Sequence, residues 1–344
     1  SRGLGDVYKR QDQESRELLK VSRLSAKIEI SLLFHGQIRI SSVQLFGLHA
    51  RLNRKTPESP TNFQFVLDAF ASKDTIKKDK KPIDLRINAV LIRRGQIYYD
   101  VLSEPETPNR FNAKHIGVQN LSATLSLKAL TNDSVNAQIR RMSFNEASGF
   151  KLKKMTMKFI ATPRRLALND LEIQLPETSL VIDSLSANYD SIPKFPVLDK
   201  NTTYRMRLEA HITPADLAMF VPAFSHFHSP VDFRLAMEGE GNRTRCNEIY
   251  LDGNDKTLLL KGKGIANHWH EKDGMFLFGQ ISQLDADAQG MAWLFRNLTG
   301  KEEPPGIVKR LGDVQFTGNV SGYLRQLTTY GMITSCLLYT SPSP

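Results

Sequence analysis

Apolar and polar residues alternate along most of this chain. In Ala26-Lys-Ile28-Glu-Ile30-Ser-Leu32-Leu-Phe34 the even positions are apolar. In Ile83-Asp-Leu85-Arg-Ile87-Asn-Ala89, Gly95-Gln-Ile97-Tyr-Tyr99-Asp-Val101 and Leu121-Ser-Ala123-Thr-Leu125-Ser-Leu127 the odd positions are. Val135 to Ile139, Leu171 to Leu175 and Tyr204 to Ile212 repeat the pattern. Side chains of a strand point alternately to the two faces of its sheet, so this period predicts strands with one apolar face. Short connections between them favour antiparallel pairing. The expected fold class is mainly β: long antiparallel strands forming a curved, one-sided apolar sheet or groove, with about three short amphipathic helices.

The helices are read from stripes and caps. Thr61-Asn-Phe-Gln64 has the form of a capping box, followed by the stripe Phe63, Val66, Leu67, Phe70. Thr213-Pro214-Ala-Asp216 opens a second, with Leu217, Phe220, Val221 and Phe224 on one side. A third runs from about Asp287 to Leu298, carrying Ala288, Met291, Leu294, Phe295 and Leu298, with Gly300 as its stop. The tripeptide Gly-Gln-Ile at Gly36, Gly95 and Gly279 is expected to enter a strand each time, as part of a repeated strand-turn-strand unit. Arg93 is expected in a turn, and the basic residues that alternate with apolar ones (Arg86, Arg94, Arg205, Arg207) on the outer polar face.

The ends read differently from the rest. Ser1 to Gln11 and Cys336 to Pro344 have no periodicity continuous with their neighbours and resemble translated sequencing-adapter ends. The expected organisation is a non-native end at 1–11, a first β segment at 12–192, a second with two helices at 193–335, and a non-native end at 336–344. Breakers around Ser191 to Thr203 mark the boundary.

The 344 residues carry a formal net charge of +10. Arg2, Lys9 and Arg10 against Asp6 hold +2 of it in the first eleven residues, leaving +8. Basic excess of this size draws nucleic acid or anionic membrane as partners. No RNP-like or zinc-finger spacing accompanies it, so nucleic acid is not the expected partner. The dense run Lys77-Lys78-Asp79-Lys80-Lys81 reads as a solvated linker.

Candidate chemistry is sparse. His226-Phe-His228 and His268-Trp-His270-Glu271 have a spacing that metals use, yet no further ligand motif completes either set. No nucleophile elbow, P-loop, His-Glu-x-x-His or dinucleotide fingerprint is present. The expectation is a non-enzyme with no catalytic residue, no metal and no cofactor. A one-sided sheet must instead cover its apolar face, by a second layer or by another apolar substance. Acyl chains are a natural filler, since each methylene removed from water gains about 0.8 kcal/mol. The candidate lining is Ile28, Ile30, Leu32, Ile87, Ile97, Tyr99, Leu125 and Leu127. The alternative is a scaffold module that binds other proteins by strand addition and holds no lipid.

Several stretches resemble one family. Val21 to Ser31, Gly36 to Leu52, Thr61 to Phe70, Ile83 to Asp100 and Phe111 to Ala123 are similar to the early repeats of AsmA-like and TamB proteins. Pro214 to Leu217, Val231 to Gly241 and Leu311 to Gly322 resemble TamB forms of Bacteroidota-type bacteria. The resemblance covers most of residues 20–335. It implies a periplasmic protein tethered in the inner membrane through an N-terminal anchor that this sequence lacks. It also implies a β-groove, phospholipid as cargo, and a role in lipid transport or outer-membrane assembly beside an outer-membrane barrel partner of the TamA type.

Overall fold

The computed structural model describes residues 3–4, 8–11, 17–29, 37–64, 84–131, 133–191, 198–220, 229–253, 257–268, 274–299, 312–323 and 326–335. They form nineteen strands and very little helix. By internal contacts the chain divides into two compact units. The first comprises residues 1–162, 170–177 and 215–226, and the second 163–169, 178–214 and 227–344.

The first unit holds β1 (Gly3–Leu4), β2 (Tyr8–Gln11), β3 (Glu17–Val21), β4 (Arg23–Glu29), β5 (Gln37–Phe46), β6 (His49–Arg54), β7 (Asp84–Val101), β8 (His115–Leu130), β9 (Val135–Glu146) and β10 (Lys151–Thr162). β1 and β2 lie inside the adapter-like run Ser1 to Gln11 and pair with β4 and β3. β7, β8, β9 and β10 pair antiparallel in sequence order. β5 and β6 run parallel to β7, along its first and second halves respectively. Their offset is constant: Gln37 opposes Asp84 and Arg54 opposes Val101, each 47 positions further on. The true internal echo is therefore Ile38-Arg-Ile-Ser-Ser-Val43 with Leu85-Arg-Ile-Asn-Ala-Val90, side by side in space. Of the three expected Gly-Gln-Ile strand entries, the first coincides with a strand start, β5 at Gln37, whereas Gly95 and Gly279 sit inside strands.

A line of left-handed residues crosses this unit. Gly47 (φ 60°), Arg94 (φ 54°), Asn120 (φ 54°) and Asp170 (φ 52°) interrupt successive stretches of sheet. Gly47 N–H donates to Arg93 O at 3.0 Å, and Gly95 opposes Leu121 across the next ladder. Arg94 and Asn120 sit at β-bulges, where the β7–β8 and β8–β9 ladders shift register; such a bulge adds one residue and bends the strand. Arg93 and Arg94 are both exposed at a bulge inside an unbroken β7, so Arg93 is not in the expected turn. The buried side chains Leu18, Val21, Leu48, Ala50, Val101 and Leu121 lie near or beyond this line.

The second unit is an antiparallel meander: β12 (Ser179–Asn188), β13 (Thr203–Ile212), β14 (Val231–Glu240), β15 (Arg243–Gly253), β16 (Leu258–Asn267), β17 (Phe276–Ala286), β18 (Val314–Tyr323) and β19 (Gln326–Ser335). Each pairs with the next. β11 (Arg165–Gln174) contributes residues to both units.

Of three expected helices, one stands among the described residues: α1, Ala288–Thr299. Asp287 caps it, its carboxylate accepting from Gly290 N–H at 2.8 Å. Pro214–Leu217 is only a 3-10 turn, tightened by Ala218 N–H to Ala215 O and Phe220 N–H to Leu217 O. The Asp216 carboxylate accepts from Glu177 N–H at 2.7 Å. At Thr61 the capping box does not form: Gln64 N–H donates to the Thr61 carbonyl, and the Thr61 hydroxyl is buried without a partner. Val66, Leu67, Phe70, Val221 and Phe224 lie outside the described residues.

Candidate functional site

The strand registers set the apolar residues in straight rows across each unit. In the first, one row reads Leu24, Leu45, Ile92, Ala123, Met142, Met155. The next reads Ala26, Val43, Val90, Leu125, Ile139, Met157, and a third Ile28, Ile40, Ile87, Leu127, Ala137, Phe159. A fourth holds Ile38, Leu85, Leu130, Val135 and Ala161. Directly opposed residues share a face, so the four rows form one apolar plate. β5 and β7 each insert an extra residue, at Ser41–Ser42 and Asn88–Ala89, so their apolar parity switches together and the rows stay aligned. Lys27, Arg39, Arg86, Arg141 and Lys158 belong to the other face.

The second unit repeats the arrangement on a larger scale. Leu180, Ala210, Phe233, Leu251, Leu260, Leu284, Phe316 and Ile333 cross all eight strands. Parallel rows run through Leu208, Leu235 and Ile249, and through Met206, Met237 and Cys246. Burial holds the Cys246 thiol above its ordinary pKa. Charge collects on the opposite face, where Arg234 stacks over the Tyr250 ring at 3.9 Å and His211 meets Asp232 at 2.6 Å. That face also carries apolar side chains, Leu259 and Phe278 among them, but no charged residue falls in the apolar rows.

What covers these rows decides what they can do. In the first unit only Ala123 of the described row residues is fully buried; most others, Val90, Leu125, Ile139 and Phe159 included, keep part of their surface in solvent. In the second unit burial is confined mainly to one end, where α1 sets Met291 and Trp293 against Leu258, Leu284, Ala286 and Phe316. Strands sit about 4.8 Å apart and like-facing residues about 6.8 Å apart along a strand. Six strands by four rows make a plate of about 24 by 20 Å, or about 480 Å², in the first unit. Eight strands by five rows span about 900 Å² in the second, one end of it covered by α1.

Of the eight sequence-derived lining residues, Ile28, Ile87, Leu125 and Leu127 fall in the rows of the first plate. Ile87 and Leu127 are direct neighbours, Leu125 is one row away, and the Ile28 backbone lies in register with Ile40. Ile97 and Tyr99 lie beyond the Arg94 bulge, Ile97 between Ala50 and Val118, Tyr99 with the Arg54 guanidinium 5.7 Å from its ring centre. Ile30 and Leu32 lie outside the described residues. Parity counting missed Val43, Val90 and Ile92, which the paired bulges carry onto the plate.

The polar groups offer little chemistry. His226, His228, His270 and Glu271 lie outside the described residues, and among those described no group of three acids, histidines or cysteines is spaced to hold a metal. His268 is exposed and ties its amide to Asn242 O at 2.9 Å. His115 stands between two acceptors, Nδ1 at 2.9 Å from Asp100 Oδ1 and Nε2 at 2.9 Å from Glu104 O. The Asp100 bond holds its pKa above the ordinary histidine value. It pins the loop between β7 and β8 beside a cavity of about 300 Å³ that Tyr98, Arg110 and Glu146 help line. Glu146 is spent structurally, accepting from Gly117 N–H at 3.1 Å and Ser148 N–H at 2.8 Å.

Comparison of the chain with protein-family models, with curated proteins and with solved structures finds no match.

Proposed function

We propose that this chain is part of a bacterial envelope protein of the AsmA-like and TamB kind, which holds or conducts phospholipid along the apolar face of its sheet. The observation that carries the reading is the pair of uncharged plates whose side chains are mostly left partly open to solvent. A sheet built only for stability would bury such rows under a second layer. Acyl chains complete the burial instead, and the charged opposite face stays in water. The periplasmic setting, the inner-membrane anchor and a TamA-type barrel partner come with the sequence resemblance and belong to the same proposal. Mass spectrometry of lipid carried through purification tests it. Phospholipid is expected to accompany the chain and to fall when Val90 and Leu125 are both replaced by Lys. A folded chain carrying no more lipid than an unrelated β protein would sink the reading.

A further inference from the structure

Two cavities of about 500 and 480 Å³ open on the charged face of the second unit. They share Glu240 and Arg243 and so form one trough. Register shifts leave an extra residue at Asp183 on β12, Asn247 on β15 and Ser282 on β17. Such bulges bend a sheet, and the trough occupies the last two rows of this face between them and the strand ends. On β13, β14 and β15 one row holds Arg205, Glu238 and Arg245, and the next holds Thr203, Glu240 and Arg243. Across β16 and β17 the same rows turn apolar and aromatic. Arg245 is followed by Ile265 and Phe278, and Arg243 by Asn267 and Phe276, whose ring meets that of Tyr323 edge-on at 5.5 Å. Phe278 is 46% exposed although paired strands flank it on both sides. The Arg243 and Arg245 guanidiniums make no ion pair among the described residues, and Arg205 reaches Glu238 only at 3.5 Å.

We propose that this trough binds an acidic oligosaccharide, a chain of pyranose rings bearing carboxylate or phosphate groups. The inference is independent of the lipid reading, which concerns the other face. A sugar ring has apolar C–H faces, which stack on aromatic rings, and a rim of hydroxyls, which pair with planar polar side chains. Phe276, Phe278 and Tyr323 supply the aromatic platform. The guanidiniums supply forked donors that match a carboxylate or phosphate in a bidentate way. Lys200, Arg205, Arg243 and Arg245 stand against Glu238 and Glu240, an excess of two cations that favours an anion. The two glutamates also select the class. They accept from sugar hydroxyls, but set among the arginines they repel a nucleic-acid backbone, which carries a phosphate on every nucleotide. From β13 to β18 the rows cross five strand spacings, about 24 Å, which suits a chain of several sugars and not a single one. All of these side chains except that of Lys200 stand on paired strands or at their ends, so the platform and the forks are held in fixed register.

Calorimetric titration of the full chain with tetragalacturonate tests the proposal. Binding is expected, about tenfold tighter than that of neutral cellotetraose, which offers the guanidiniums no charge. Phe278→Ala and Arg245→Gln should each weaken it by about tenfold with unchanged circular dichroism. Arg234→Gln, on the same face but beyond the bulges, should leave it unchanged. No binding at millimolar tetragalacturonate overturns the proposal, and equal affinity for cellotetraose overturns the acidic preference. A single-stranded oligothymidylate that binds more tightly than the sugar would make the trough a nucleic-acid site and overturns it. Inorganic phosphate binding as tightly as the sugar, and insensitive to Phe278→Ala, would reduce the trough to a simple anion site and overturns it as well. None of these variants alters the apolar rows, so phospholipid carried through purification should be the same in all of them, and the two readings fail separately.

Discussion

Replacing Gly290 by Ala should loosen the corner where α1 closes the apolar face of the second unit. Inside a helix the change alone favours folding, by about 0.5–1 kcal/mol. Here the geometry opposes it. A Cβ on Gly290 would lie 1.9 Å from Thr257 O, 2.7 Å from Thr257 C and 3.1 Å from Leu258 Cβ. The first two are backbone atoms held by the bond from Asp287 N–H to Thr257 O at 3.0 Å. To reach ordinary contact the helix must lift by about 1.5–2 Å. Lifting uncovers part of Leu258, Leu284, Ala286 and Phe316, the larger of which are each worth about 1.5–3 kcal/mol when fully buried. Losing about a third of that outweighs the propensity gain and leaves the corner about 2 kcal/mol less stable. Hydrogen exchange should read this as about thirtyfold faster opening of the amides from Leu258 to Ala286. Gln289→Ala, at an exposed neighbouring position, should leave them unchanged or slower. Equal or slower exchange in Gly290→Ala would refute the close helix–strand approach on which the argument rests.

Asn120→Gly should stabilise the first unit by up to about 1 kcal/mol in urea unfolding, since Asn120 holds φ at 54° in the bulge line. His115 should titrate above the ordinary histidine midpoint by NMR, and Asp100→Asn should lower that midpoint. Because its folded pKa is the raised one, the stability His115 adds is fully present below the unfolded pKa and fades as pH rises through the folded value. Exchange in the loop from Leu102 to Lys114 should therefore quicken on that rise, and pH-independent exchange would contradict it. Offered anionic vesicles and mixed-sequence duplex DNA at equal charge, the basic chain should prefer the vesicles, also when residues 1–11 are deleted. Preference for the duplex would count against an envelope role.

Much of this fold is legible because a half-exposed strand writes its two faces into alternating letters. Tyr204 to Ile212 is the clearest example: its parity maps directly onto β13, with Arg205 and Arg207 on the charged face. Parity fails at bulges. Asn88–Ala89 and Arg93–Arg94 each shift β7 by one residue, and the sequence there reads as a continuing odd pattern broken by a turn. The described starts of the first two expected helices depart from the expected capping. The Thr61 hydroxyl is buried without a partner, the Asp216 carboxylate accepts from Glu177 N–H, and Asn62 brackets β6 through Asn53 N–H at 2.9 Å and Arg51 O at 2.9 Å. Asp287 had a free first turn to cap, and α1 formed where it was expected. The parallel pairing of β5 with β7 left a signal, the Ile-Arg-Ile and Leu-Arg-Ile segments 47 residues apart, but the more conspicuous Gly-Gln-Ile match drew the alignment elsewhere. Openness of the plates was not legible, since a row of Val and Leu reads alike under a second layer or under lipid.

Site-specific photocrosslinking to phospholipid tests the central claim most directly. A photoreactive side chain is placed in turn at Val90, Leu125, Phe233 and Leu260 in the apolar rows, and at Thr124, Arg141 and Arg234 on the other face. With lipid bilayers present, the four row positions should yield phospholipid adducts and the three others should yield about tenfold less or none. Adducts of equal yield from both faces, or none from the rows in a chain that remains folded, would contradict the account.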